Sequence, residues 1–138
     1  MYLLNDIIQD LSKVLKLNGY KKGRMTWYKK AGKLSIVFAI QKSQFCVNTW
    51  YYSFGIGLSD LAKKEVTSMT DCQIQYRIDN VVNGIMLTVD NISQLVIKWE
   101  KMYGTLQQLR ICAIESRLPL QTTSAAIRYL TSVDLSVL

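Results

Sequence analysis

The stretch from residue 34 to residue 58, LSIVFAIQKSQFCVNTWYYSFGIGL, decides the fold of this 138-residue chain. Its first part, Leu34 to Lys42, has apolar residues on both sides of a strand, which is typical of a central strand with both faces covered. Its second part, Phe45 to Leu58, alternates between two sides. One side carries Trp50, Tyr52, Phe54, Ile56 and Leu58, and the other carries Thr49, Tyr51, Ser53, Gly55 and Gly57. The two glycines predict a bulge or a close approach of another segment.

Further strands are predicted before and after this pair. Ala31-Gly32 is the predicted turn of a hairpin that joins the preceding strand to Leu34 to Lys42. The polar stretch Ser59 to Thr70 fits either a loop or a short helix. Asn83-Gly84 predicts a later turn. The additional strands are Met25 to Lys30, Cys72 to Ile78 and, as a candidate fifth, Ile85 to Val89.

Helical patterns flank these strands. Residues 3 to 17 carry apolar side chains at three- and four-residue steps, and Gly19 is placed to end that helix. Asp90 is the predicted N-cap of a second helix, which Gly104 interrupts. The continuation is expected to end before Pro119, and Thr123-Ser124 is expected to cap a last short helix.

This order of elements predicts an α+β fold with an N-terminal helix, an antiparallel β-meander of four to five strands, and C-terminal helices packed on one face. The other face is expected to be partly exposed. No linker or repeat interrupts the chain, so residues 1–138 are predicted to form a single α+β domain. A chain of this length buries roughly two-thirds of its unfolded surface and needs no disulfide or metal to fold.

The charge is concentrated in one third of the chain. The net charge is +7 at pH 7, and the charged residues between Asp10 and Asp60 are all positive. They are Lys13, Lys16, Lys21, Lys22, Arg24, Lys29, Lys30, Lys33 and Lys42. Such an asymmetry produces a positive field over one region and indicates a negatively charged partner.

Catalytic chemistry finds little support in the residues. The chain has no histidine, which removes the commonest general base and metal ligand. Cys72 would lack a histidine partner as a nucleophile, and the carboxylates form no tight motif. We therefore expect no enzyme activity, no metal and no cofactor.

The compartment is predicted from the cysteines and the N-terminus. Cys46, Cys72 and Cys112 are isolated, so buried free thiols in a reducing cytoplasm are the simplest interpretation. The N-terminus does not read as a signal peptide, and no apolar run is long enough to span a membrane. A cytoplasmic location without a membrane partner is expected.

Residues 20 to 33 interleave aromatic and basic side chains, and two interpretations stay open. Cations neutralise phosphates while aromatic rings stack on bases, which favours nucleic acid. Alternatively, Met25 and Trp27 face the core while lysines protect an edge strand against aggregation. Tyr51 leaves the main core if its side of the sheet is uncovered. The predicted partner-binding residues are Lys21, Lys22, Arg24, Tyr28, Lys29, Lys30, Lys33, Lys42 and Tyr51.

Residues 19–23 and 27–29, GYKKG and WYK, resemble a bacterial family known as domain of unknown function 4304. Similarity continues at residues 41–43, at residues 54–56 and along Cys72 to Arg77, although Ser53 stands where the family pattern has asparagine. The resemblance runs over about residues 3 to 119. It implies the fold class, and because the family has no established activity, it implies no catalytic residues.

Three functions remain as hypotheses. The leading one is a non-enzymatic binding module that engages an acidic protein partner through the basic hairpin of residues 20 to 33 and the aromatic strand from Phe45 to Leu58. An immunity or antitoxin-type protein is one concrete form of it. The second is nucleic-acid binding through residues 20 to 33. The third is a cryptic hydrolase or transferase that uses carboxylates or Cys72. The oligomeric state is left open.

Overall fold

A computed structural model describes residues 4–43 and 49–132 of the chain. The helices are α1 (Leu4–Leu17), α2 (Ser59–Ala62), α3 (Val89–Tyr103), α4 (Leu106–Ile114) and α5 (Ser124–Thr131). The strands are β1 (Lys21–Lys22), β2 (Thr26–Ala31), β3 (Leu34–Lys42), β4 (Trp50–Leu58), β5 (Ile74–Asp79), β6 (Val81–Val82), β7 (Ile85–Met86) and β8 (Gln121–Thr122). Among these helices, none has the length and apolar character needed to cross a bilayer.

Six strands form one antiparallel sheet in the order β1-β2-β3-β4-β5-β8. β3 and β4 lie at its centre and pair from Leu34 opposite Leu58 to Lys42 opposite Trp50. Every residue of β3 from Leu34 to Ile40 is buried, which confirms the predicted central strand. The turn before β3 is Gly32-Lys33, one residue later than predicted, because Ala31 still pairs with Leu34. The α+β class is confirmed.

The first face of the sheet is covered by helices. Ile7, Leu11 and Leu15 of α1 are buried in the main core together with the inward side chains of β2, β3 and β4 and residues of α3, α4 and α5. α1 ends as predicted at Gly19, whose φ is +88°. The Tyr20 N–H donates to Leu15 O at 3.0 Å and the Gly19 N–H donates to Lys16 O at 3.1 Å, the hydrogen-bond pair of a Schellman cap.

The start of α3 corrects two predictions. Thr88, not Asp90, is the N-cap, since the Asn91 N–H donates to Thr88 Oγ1 at 3.1 Å and the Thr88 N–H donates to Asn91 Oδ1 at 3.0 Å. This capping box draws Val89 into the helix. The candidate fifth strand therefore shrinks to β7, which pairs only with β6 in a separate two-stranded hairpin.

The C-terminal helices follow the prediction in part. Thr123 caps α5, and Gly104 separates α3 from α4, as expected. α4 ends before Pro119 as predicted, but already at Ile114, since Ser116 takes a left-handed conformation with φ +57°. The two-residue strands β1 and β8 were not predicted, because so short a pairing leaves no periodic pattern. The predicted third strand began at Phe45, and residues 44–48 lie outside the described residues.

The second face is crossed by residues 63–73, called here the crossing segment. Val66, Met69 and Cys72 from this segment bury Val37 and Ala39 of β3 in a second small core. β4 allows this approach because it carries glycines. A Cβ on Gly55 would lie 2.7 Å from Cys72 Sγ and Met69 Sδ, and one on Gly57 would collide with Val66. The predicted close approach is confirmed, and β4 contains no bulge, because its pairing with β3 and β5 runs without interruption.

Candidate partner-binding surface

Lys29, one of the predicted site residues, is half-buried and has partners within the fold. Its Nζ donates to Glu100 Oε1 of α3 at 2.7 Å and lies 5.6 Å from the centre of the Tyr20 ring. The Tyr20 hydroxyl donates to the other oxygen of Glu100 at 3.1 Å. Burial, assisted by the Glu100 carboxylate, raises the pKa of Tyr20 well above its usual value. Lys29 thus ties β2 to α3 and is not a free positive charge.

Two more of the predicted cations also serve the fold. Lys22 Nζ lies 5.9 Å from the centre of the Trp27 ring, and Lys33 Nζ lies 3.5 Å from Asp60 Oδ2. The Tyr129 hydroxyl of α5 donates to the same Asp60 oxygen at 2.7 Å. This hydrogen bond and the charge of Lys33 lower the pKa of the Asp60 carboxyl. The pair therefore connects the β2–β3 turn to the start of α2 and to α5.

The remaining predicted residues lie on different sides of the sheet. Lys21 is exposed and pairs with Tyr28, so both lie on the second face, and Lys30 lies two residues further along the same side. Arg24 is exposed in the bend before β2. Lys42 is exposed and pairs with Trp50, whose side chain belongs to the first face. The structure therefore splits these predicted site residues into two groups. Lys21, Tyr28 and Lys30 lie on the second face, whereas Arg24 and Lys42 do not.

Tyr51 lies on the second face beyond the crossing segment, with the guanidinium of Arg77 stacked over it. The Arg77 Cζ is 4.6 Å from the Tyr51 ring centre, a close cation–π contact. Ser53 pairs with Arg77 across β4 and β5 and with Ala39 across β3. The buried Ser53 hydroxyl donates weakly to Gln41 Oε1 at 3.4 Å. We call the set Gln41, Tyr51, Ser53, Gln75 and Arg77 the polar shelf.

Four residues of the polar shelf, all except Tyr51, line a depression of about 500 Å³. The described residues of its walls are rich in amide and hydroxyl groups and include one guanidinium but no carboxylate. Gln75 steadies the rim, because its Nε2 donates to the carbonyl oxygens of Met69 and Cys72 at 3.0 Å each. The lining consists of Gln41, Ser53, Cys72, Gln73, Gln75, Arg77, Gln121, Thr122 and Thr123.

Among the described residues of this lining, Cys72 is the only one with a sulfur atom. Burial, together with the neighbouring charge of Asp71, raises the pKa of Cys72 to about 12. A thiol with this pKa is protonated at neutral pH and is not an activated nucleophile. Within residues 4–43 and 49–132, no group of three or more acidic or cysteine residues is arranged to hold a metal ion.

A second depression, of about 330 Å³, lies between β5 and α3 on the first-face side. Its lining is mostly apolar, with a ring cluster in which Trp99 packs on Tyr103 at 4.6 Å between ring centres. Arg117 at its rim is paired with Glu115. The groove suits an apolar side chain. Its lining includes Phe54, Tyr76, Leu95, Trp99, Met102 and Leu118.

Arg77, Gln41 and Ser53 were not predicted as site residues. The alternation of β5 put Gln73, Gln75 and Arg77 on one side of the strand, and Tyr51 and Ser53 shared a side of β4. The missing information was the register that sets Ser53 opposite Arg77. A register between strands separated by an irregular crossing segment cannot be read from one sequence.

Comparison with curated proteins finds no match, and comparison with solved structures finds none either. The family model described as domain of unknown function (DUF4304) matches residues 11–115, which include the second half of α1, the whole of β1 to β7, and α2, α3 and α4. The polar shelf lies inside the matched region, whereas β8 and α5 lie beyond it. Because the match spans most of the 138 residues, the chain belongs to the DUF4304 family, as its sequence features indicated.

Proposed function

We propose that this protein is a non-enzymatic binding module for an acidic protein partner, and that an immunity or antitoxin role is its most concrete form. The partner would contact the part of the second face that lies beyond the crossing segment, where the polar shelf is found. The immunity or antitoxin form rests on analogy with small bacterial α+β proteins. The binding function rests on the chemistry of the polar shelf and of the depression above it.

The observation that carries the proposal is the depression over the polar shelf. It offers amide and hydroxyl groups and the Arg77 guanidinium on a sheet, and no described residue of its lining carries a carboxylate. Such a surface can form charge-assisted hydrogen bonds to side-chain carboxylates of another protein. Arginine and tyrosine are also the residue types enriched in protein interfaces, and here Arg77 and Tyr51 are stacked on each other.

Burial of the hairpin aromatics argues for a protein partner over a nucleic acid. Trp27 is 1% exposed and Tyr20 is 4% exposed, so neither ring is available to stack on a base. Of the aromatic side chains in residues 20 to 33, this leaves only the half-buried Tyr28, beside scattered cations of which Lys29 and Lys33 already have acidic partners. Nucleic-acid binding is the weaker candidate for this reason.

Affinity capture followed by reconstitution tests the proposal. The full-length chain is immobilised and exposed to lysate of its source organism in parallel with Arg77→Glu. A matched bait, Lys13→Glu, carries the same charge change on the exposed side of α1. Captured proteins are identified by mass spectrometry, purified and titrated calorimetrically against each variant.

We expect an acidic protein that binds the wild type and Lys13→Glu equally and binds Arg77→Glu at least about tenfold more weakly, since reversing an interface charge leaves a repulsive contact. For a toxin partner, co-expression with this chain should restore growth. The proposal fails if no purified protein binds, or if binding is the same for all three baits. Salt-sensitive binding to a labelled 20-nucleotide DNA or RNA that Lys21→Glu abolishes would favour the nucleic-acid alternative.

A further inference from the structure

The outer edge of β5 is covered for only part of its length. β8 pairs with Ile74 and Gln75 and then stops. Continuing its register backward would set Pro119 opposite Arg77, and proline has no N–H with which to extend the ladder. No other described segment pairs with β5 from Tyr76 to Asp79 on this side.

The backbone groups of Arg77 and Asp79 point toward this open edge. The Asn80 N–H donates to Trp50 O of the β4 side, so even-numbered residues of β5 face β4. The Thr123 N–H donates to Gln73 O, so odd-numbered residues face outward. Alternation along the strand then directs the N–H and C=O groups of Arg77 and Asp79 away from the sheet. An edge with such groups is a template for a further strand.

The side chains at the open edge are complementary to themselves. Arg77 and Asp79 are both exposed, carry opposite charges and lie two residues apart, on the second face. If a second β5 pairs antiparallel with Ile78 opposite Ile78, Arg77 of each copy lies opposite Asp79 of the other. Opposite charges directly across an antiparallel pair attract, and both positions exchange backbone hydrogen bonds in this register.

Apolar side chains are exposed at both ends of the same edge. The hairpin of β6 and β7 follows Asp79 and exposes Val81, Val82, Ile85 and Met86, with Ile85 69% exposed. Near the other end, Tyr76 is 49% exposed and Leu120 is fully exposed. In the register centred on Ile78, the hairpin of one copy starts next to Tyr76 and Leu120 of the other. Exposed apolar groups in such an arrangement mark interaction surfaces.

We infer that two copies of this chain associate through their β5 edges, antiparallel and centred on Ile78. Four backbone hydrogen bonds and two Arg77–Asp79 contacts form between the copies, and each apolar hairpin packs near the other copy's Tyr76 and Leu120. The two-fold axis runs perpendicular to the sheet, so the two polar shelves face the same direction on one continuous sheet. This inference does not depend on the proposed acidic partner.

Sedimentation equilibrium of charge-reversal variants tests the pairing. We expect a dimer for the wild type and about tenfold or greater weakening for Arg77→Glu and for Asp79→Lys, because each change creates two like-charged contacts. Mixing the two variants in equal amounts should restore dimers, since Glu at 77 then faces Lys at 79 while Arg77 of the second variant faces Asp79 of the first. This recovery is specific to the proposed register.

Two further variants distinguish edge pairing from misfolding. Asp79→Pro removes an outward N–H and leaves the ladder to β4 intact. It should therefore be folded, as judged by circular dichroism, and monomeric, as judged by sedimentation equilibrium. Asp79→Ala, its matched control, keeps the N–H and should weaken the dimer less. The inference fails if the wild type remains monomeric at millimolar concentration, if both reversals leave the dimer unchanged, or if the mixed variants remain monomeric.

Discussion

At the β2 edge, lysines line a strand that β1 partly covers and that Trp27 anchors in the core. At the β5 edge, by contrast, the outward backbone groups of Arg77 and Asp79 pair with no described strand. Both edges are exposed and both carry charge. At the β2 edge, Lys22 and Lys29 contact groups of the same chain. At the β5 edge, Arg77 contacts Tyr51 and lines the depression over the polar shelf.

The difference teaches that the density of positive charge in a sequence does not locate a binding surface. Two of the cations that interleave with aromatics at the β2 edge, Lys22 and Lys29, pack on those rings, and Lys29 also pairs with Glu100, so these two serve the fold. A single arginine at the β5 edge, Arg77, lines a depression and lies where no described strand covers the edge of β5. The predictions that follow test this contrast between a β2 edge fixed by packing and a β5 edge available for binding.

The largest effect is expected from the residue that anchors the β2 edge. Trp27→Ala should lower the free energy of unfolding by about 3–5 kcal/mol, because a buried indole leaves a large cavity. Tyr76→Ala on β5 removes a half-exposed ring and should cost about 1 kcal/mol. Urea denaturation of dilute protein measures both. Equal losses at the two positions would refute the contrast.

A smaller loss is expected where the crossing segment touches β4. Gly57→Ala should destabilise the protein by about 1–3 kcal/mol, since the added Cβ collides with Val66 and displaces the crossing segment. Gly23→Ala near the β2 edge meets only a backbone oxygen at 3.8 Å and should be nearly neutral. Faster labelling of Cys72 by a thiol reagent in Gly57→Ala, judged against the same variant carrying Cys72→Ala, would confirm the displacement. An unchanged unfolding midpoint would show that the segment yields without cost.

Much of the fold was predictable from the sequence because periodicity reports which side of an element is buried. The central strand β3 and the Gly19 cap followed directly from their residues. The N-cap of α3 was wrong by two residues, because Thr88 and Asp90 are both good caps and only the reciprocal bond to Asn91 decides between them. The polar shelf depends on a register among β3, β4 and β5 that no local pattern encodes, so Arg77 was seen as a strand residue and not as part of a site.

Alkaline pH provides a third test, at the wall of the depression beside β5. The pKa of Cys72 is raised from about 9 when unfolded to about 12 when folded, so the folded state favours the protonated thiol. Its stabilising contribution is complete below pH 9 and is lost as the pH rises toward 12. Between pH 9 and 10 the free energy of unfolding should fall by about 1 kcal/mol from this group. Cys72→Ala should flatten that slope, and an unchanged slope would contradict the burial of the thiol.

The smallest effect concerns the ion pair at the β2 edge. Lys29→Met should destabilise the protein by about 0.5–1 kcal/mol, because the pair with Glu100 is partly solvent-screened. Lys30→Met, the neighbouring exposed position, should change the unfolding midpoint negligibly. High salt should reduce the difference between the two variants. A larger loss for Lys30→Met would mean that the side assignments of β2 are reversed.

The most direct test of the central claim, that binding belongs to the β4–β5 side of the second face, is a calorimetric titration of the purified partner against two matched charge reversals. Arg77→Glu changes the polar shelf, and Lys22→Glu makes the same change at the β2 edge. We predict that Arg77→Glu raises the dissociation constant at least about tenfold, while Lys22→Glu changes it less than about twofold. The opposite order, with Lys22→Glu as the damaging change, would contradict the account and return the binding surface to the basic hairpin.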